Sequence, residues 1–217
     1  MQPRRVGSVV LLFGIVLTAR PVPAADEVSD PGPLFTSTGI WSRLRSEPVK
    51  KDLKLTNEQS EAFSKIWKKQ QQNESGDAEA FYNYKGADKQ AWGRSVTKKR
   101  ADELFTAIEP TLSSNQVKRL KQIMLQSKGI TIFNYPEIRS ELGLTEAEAA
   151  GLRATHEKIR KGVLQQYFDK KITQPEAAQI YETTLKHGVH DGVRAELNAE
   201  QRTKLAELLG PPFAFPK

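Results

Sequence analysis

The sequence holds 217 residues, 38% of them hydrophobic, with 33 Lys and Arg against 26 Asp and Glu, a formal net charge of +7, and no cysteine. The missing thiols exclude disulfides, thiol catalysis, cysteine-ligated metals and acylation on cysteine. The length suffices for one domain or two small ones, and the apolar core alone must hold the fold.

Residues 1–24 read as an export signal. Arg4 and Arg5 precede an apolar run from Val6 to Leu17, Pro21 and Pro23 break it, and Ala24 and Ala25 supply small residues for cleavage, the layout of a secretory signal peptide. The run falls short of the roughly 20 apolar residues of a spanning helix. An uncleaved anchor is the alternative, because Val22-Pro23-Ala24 is an imperfect cleavage site. Residues 25–40 contain Pro31, Pro33 and two glycines and predict a flexible leader.

Residues 41–133 form a first half. Thr56-Asn57-Glu58-Gln59 opens it as a capping box: the threonine hydroxyl accepts from the third helical N–H and the glutamine reaches back to the threonine N–H. Ala62, Phe63, Ile66 and Trp67 follow at helical spacing. Residues 74–86, with Gly76 and Gly86, predict a loop that carries Phe81, Tyr82 and Tyr84. A return helix from Trp92 shows Val96, Leu104, Phe105 and Ile108. Ser113…Gln116 caps a third helix with Val117, Leu120, Ile123 and Met124. Residues 127–136, through Gly129 and Pro136, join this half to the next.

Residues 134–213 repeat the plan. Val49-Lys50-Lys51-Asp52-Leu53-Lys54-Leu55-Thr56 aligns with Ile138-Arg139-Ser140-Glu141-Leu142-Gly143-Leu144-Thr145 at an offset of 89, and the caps Ser113…Gln116 and Asn198…Gln201 stand 85 apart. Thr145…Glu148 is again a capping box, and Asn198 is a good cap with the same spacing. A long stripe runs through Ala149, Leu152, His156, Ile159, Val163 and Tyr167. Pro175 suits a first helical turn, with Ala178, Tyr181, Leu185 and Val189 after it, and a last helix ends at Gly210-Pro211-Pro212. No segment alternates with a period of two. The expected fold is all-α, with tandem duplicated helical hairpins forming a bundle or an elongated array.

Leu55-Thr56-Asn57-Glu58-Gln59 resembles the Leu-Thr-x-x-Gln motif of periplasmic helical proteins of the Spy/CpxP type. The later caps depart from it, with Ser113 and Asn198 in place of threonine and Glu148 in place of glutamine. The spaced motifs and the ending Leu208-Leu209-Gly210-Pro211-Pro212-Phe213 resemble exported bacterial proteins that carry several such motifs. The resemblance implies a location in the periplasm or cell envelope and a binding role, as stress chaperone or signalling adaptor.

The remaining chemistry is sparse. His187 and His190, three apart on a predicted helix, would face one side; with Asp191, and His156 from another helix, they would suit a divalent transition metal. Ordinary surface histidines, and a satisfied core residue at His156, are the plain alternatives. No nucleophile elbow, zinc helix or phosphate loop occurs, so no enzyme and no catalytic residue is expected, and no nucleic-acid motif is present. Residues 41–133 carry 18 Lys and Arg against 11 Asp and Glu; residues 134–217 carry 12 of each. Phe81, Tyr82 and Tyr84 beside Lys98, Lys99 and Arg100 therefore form a candidate surface for a polypeptide client, an envelope protein or an anionic surface. The leading expectation is an exported, non-enzymatic, chaperone-like or adaptor-like protein; a metal sensor or buffer and a structural envelope component are the alternatives.

Overall fold

The computed structural model describes residues 32–86, 88–181 and 187–215. The predicted signal segment and Leu185 lie outside them. The described residues form an all-α fold without strands: α1 (Ser37–Leu44), α2 (Glu47–Leu53), α3 (Asn57–Asn83), α4 (Lys89–Ile108), α5 (Ser114–Lys128), α6 (Pro136–Leu142), α7 (Glu146–Phe168), α8 (Gln174–Ile180), α9 (Asp191–Arg194) and α10 (Ala199–Leu209). Short 3-10 segments occupy Glu109–Thr111 and Gly129–Asn134. No described helix is long and apolar enough to cross a membrane.

The aligned segments fold alike. Helices α2 and α6 each bury their apolar pair, Val49 with Leu53 and Ile138 with Leu142. Each then stops on a left-handed residue, Lys54 (φ 51°) or Gly143 (φ 64°). The next N–H, of Leu55 or Leu144, donates back to the carbonyl of Lys50 (3.0 Å) or Arg139 (2.8 Å), which closes the helix as a Schellman turn. The chain therefore leaves α2 and α6 at a fixed angle, directly into the capped starts of α3 and α7.

Packing repeats as well. Helix α1 lies against α4 as well as α2, α3 and α5, and the 3-10 segment Gly129–Asn134 lies against α6, α7 and α5. Helix α4 returns along α3, α8 along α7, while α5 meets α2 and α10 meets both α6 and α5. Two apolar clusters result. The first holds Ile40, Leu44, Phe63, Trp67, Leu104, Ile108, Leu120 and Ile123; the second holds Leu125, Ile132, Phe133, Ile138, Leu142, Leu152, Val193 and Leu205. Membership changes between Met124 and Leu125, so α5 serves both clusters. Arg139 and Arg153 both pair with Glu146 (2.9 and 2.8 Å) and donate to the Phe133 carbonyl, fixing α6, α7 and the 3-10 segment together.

Three expectations are corrected. The leader is not free beyond residue 33: Leu34 and Phe35 pack on the clusters, and Ile40 in α1 is fully buried. The expected boundary at residue 133 does not separate the cores, since Leu125, Ile132 and Phe133 of the predicted first half are buried in the second cluster. Residues 74–83 are helix and not loop, because α3 runs through Gly76 to Asn83. One internal glycine costs a helix only about 1 kcal/mol, and the alanines and glutamates around it favour continuation.

Candidate binding surface

The four predicted caps are all present. The hydroxyls of Thr56, Ser113 and Thr145 and the carbonyl of Asn198 accept from the N–H three residues on, and Gln59, Gln116, Glu148 and Gln201 reach back to the cap N–H. A fifth box, Thr173…Glu176, opens α8; its Thr-x-x-Glu spacing was visible, and Pro175 was the only part of it singled out. Hydrogen bonds from Thr145, the backbone N–H first, hold the Glu148 carboxyl below the usual carboxylate range.

In the first half the two glutamines do more than cap. Gln59 accepts from Thr56 N–H through Oε1 and donates through Nε2 to the Thr111 carbonyl (2.7 Å) and to Gln116 Oε1 (3.1 Å). Gln116 accepts from Ser113 N–H and donates to the Leu53 carbonyl (3.0 Å) and to Gln59 Oε1. The starts of α3 and α5 are thereby clasped to each other. Glu148 has no N–H to donate, and this cross-link has no counterpart among its hydrogen bonds.

The histidines do not form the predicted pair. Gly188 adopts φ 82° and residues 187–190 are not helical, so His187 and His190 do not share a helix face. Val189, predicted on the same helix, is buried outside it. The His187 ring stacks on Phe215 at 4.1 Å between centroids. His190 caps α9, its Nδ1 accepting from Gly192 N–H (2.9 Å), and Asp191 points to solvent. His156 is 7% exposed, and its Nδ1 is buried without a hydrogen-bond partner. Burial depresses its imidazole from the ordinary histidine value; Arg160 and His190 add to this and Glu157 opposes it. Among the described residues no group of three or more His, Asp or Glu side chains is placed to hold a metal.

The predicted client surface is dispersed. Phe81 and Tyr82 fall inside α3, and Tyr84 stacks on Trp92 (5.3 Å). Lys98 pairs with Asp102 (2.8 Å), and Lys99 and Arg100 both approach Glu103 (3.9 and 3.0 Å). These charges are largely answered within α4 itself.

A different surface stands open. The core-facing side of α7 ends with part-buried Ile159, yet the helix continues to Phe168, a further reach of roughly 14 Å at about 1.5 Å per residue. Leu164 is 39% exposed, Phe168 70%, and Tyr181, at the end of α8, 46%. Tyr181 was expected on the apolar stripe; the inward side of α8 is instead Ala177 and Ile180, and Ala178 is exposed. Along this hairpin Lys158, Arg160, Lys161, Lys170 and Lys171 outnumber Glu157, Asp169 and Glu176, with Arg160 paired to Glu157 and Lys171 to Asp169. The signal for it was the doubled pairs Val163-Leu164 and Tyr167-Phe168, one apolar residue wider than a core-facing stripe requires. Elsewhere a groove of about 750 Å³ lies between the clusters, floored by Phe35, Val117, Leu125 and Ile138 and rimmed by Lys118, Lys121 and four glutamates.

No protein family, no curated protein and no solved structure matches the chain. What fold and surface define is a class: an all-helical protein with an exposed apolar helix tip in a basic setting.

Proposed function

We propose that this is an exported, non-enzymatic binding protein for polypeptide, chaperone-like or adaptor-like, whose two halves arose by duplication. The observation that carries the binding role is the α7–α8 hairpin, where Leu164 and Phe168 on α7 and Tyr181 at the far end of α8, near Arg160, are exposed beside lysines and arginines. Large apolar side chains grouped on a surface mark interaction sites, and a basic surround draws in acidic segments by salt-sensitive attraction. The duplication is supported by the Schellman turns and capping boxes recurring at a spacing of 89 residues.

The test is suppression of aggregation of a denatured acidic client, followed by light scattering at rising ionic strength. Wild-type protein should suppress it, less so at high salt. Phe168→Ser/Tyr181→Ser should lose most of the effect at an unchanged urea midpoint, because neither ring is buried. Equal suppression by both proteins, or none at any salt, refutes the reading.

A further inference from the structure

After α10 the chain turns back over α5. Gly210 makes the turn at φ 61°, ψ −165°, a region open essentially to glycine alone; a Cβ there would also stand 2.2 Å from Gln122 Oε1. The non-helical segment Pro211–Phe215 is then held the way a protein holds a peptide. The Gln126 carboxamide donates to the carbonyls of Leu209 (2.5 Å) and Pro211 (2.9 Å) and accepts from Phe213 N–H (2.8 Å). Arg119 donates to the same Pro211 carbonyl (2.7 Å) while its other nitrogens grip Asp52. Gln122 donates to the Glu207 carbonyl. Phe213 and Phe215 meet edge to face (4.9 Å) and pack on the first cluster, with Arg43 5.1 Å over Phe215 and His187 stacked on it.

This arrangement separates backbone reading from side-chain reading. A side-chain amide offers one donor and one acceptor side by side, matching a C=O and the N–H two residues on, as a strand edge matches an added strand. The prolines have no N–H to leave unsatisfied and carry little conformational entropy to lose. The two aromatic rings supply the apolar anchors. Gln126 is buried, and two of its three side-chain hydrogen bonds are to this segment, so emptying the face is costly unless another backbone replaces it.

We infer that the α5 face of Arg119 and Gln126 is a peptide-binding site occupied by the chain's own segment Pro211–Phe215, which a partner polypeptide presenting a Pro-Pro-aromatic-x-aromatic segment displaces. The site is separate from the α7–α8 tip and goes beyond the binding role assigned to it. In cis the tail competes at an effective concentration on the order of millimolar, so the site is closed to weak ligands and open to matched ones.

The probe is a labelled hexapeptide of the sequence Gly210 to Phe215, titrated by fluorescence anisotropy into the full chain. Phe213→Ser/Phe215→Ser, which loosens the tail, should bind it saturably; wild-type protein should bind at least about tenfold more weakly. Gln126→Leu added to the loosened variant should abolish binding. A folded loosened variant that does not bind, or binding that survives Gln126→Leu, overturns the inference. Hydrogen exchange on the wild-type chain checks it without substitution. The Phe213 amide should exchange through a local opening well below the global unfolding that governs Leu125; exchange of both by global unfolding refutes the inference too. Neither readout involves aggregation suppression, so failure here leaves the tip reading standing, and the reverse holds.

Discussion

A carboxamide carries a donor and an acceptor, and at Gln59 and Gln116 each has its own task. The oxygen closes the capping box; the nitrogen clasps the neighbouring helix start. Gln59→Glu keeps the first and loses the second, leaving the part-buried Thr111 carbonyl without that donor. Its urea midpoint should fall by the equivalent of about 1–2 kcal/mol at unchanged slope; no change would mean the clasp is energetically idle. At this scale the sequence was legible where a motif has one local cause. Threonine, serine or asparagine three residues before glutamine or glutamate specifies a helix start without tertiary help. The second role of Gln59 depends on a residue 57 positions away, and nothing local announces it. Lys54 was silent for a related reason: glycine marks the left-handed stop at residue 143, and a lysine in the same conformation does not.

Among the elements, α7 changes character along its length, from buried at Ala149, Leu152 and His156, through part-buried Ile159 on the second cluster, to a stretch flanked by α8. A folded-state histidine value below the unfolded one means that, as pH falls, the native chain takes up its proton later than the unfolded chain does. Stability from His156 is therefore complete above the unfolded value, near 6.5, and is lost as pH drops through the depressed folded value. The groups facing it are Glu157 and Arg160 on α7 and His190 at the start of α9. His156→Leu should flatten the fall in urea midpoint between pH 7.5 and 5; an unaltered pH slope would assign that slope elsewhere. The stripe through His156 was readable by periodicity. The helical continuity of residues 74–83 was not, because Gly76 carries the same local signal in a loop and in a tolerant helix. The histidine pair failed through the same residue type: Gly188, at positive φ, ends any helix that would have aligned it.

For the molecule as a whole, the predicted halves and the two clusters nearly coincide, but Leu125, Ile132, Phe133, Phe35 and the C-terminal segment cross between them. Leu120, Ile123 and Met124 belong to one cluster, Leu125 to the other, and Phe35 touches both. Losing either cluster strips one side of α5. Unfolding should be a single transition, with the fluorescence of Trp41, Trp67 and Trp92, all in the first half, coincident with far-ultraviolet circular dichroism from both. A fluorescence midpoint well separated from the dichroism midpoint would show the clusters to be independent. Which helices would meet could not be read from the alignment at 89 residues, since a repeat fixes the plan of each unit and not the seam between units.

The last three turns of α7 bear on how anything is held there. Beyond Ile159 the helix is flanked by α8, a run of seven residues that would be marginal in water on its own. A ligand that grips Phe168 must also immobilise the turns beneath it, and that entropy is subtracted from the grip. On the proposed reading, a client held there would therefore be bound loosely and released quickly.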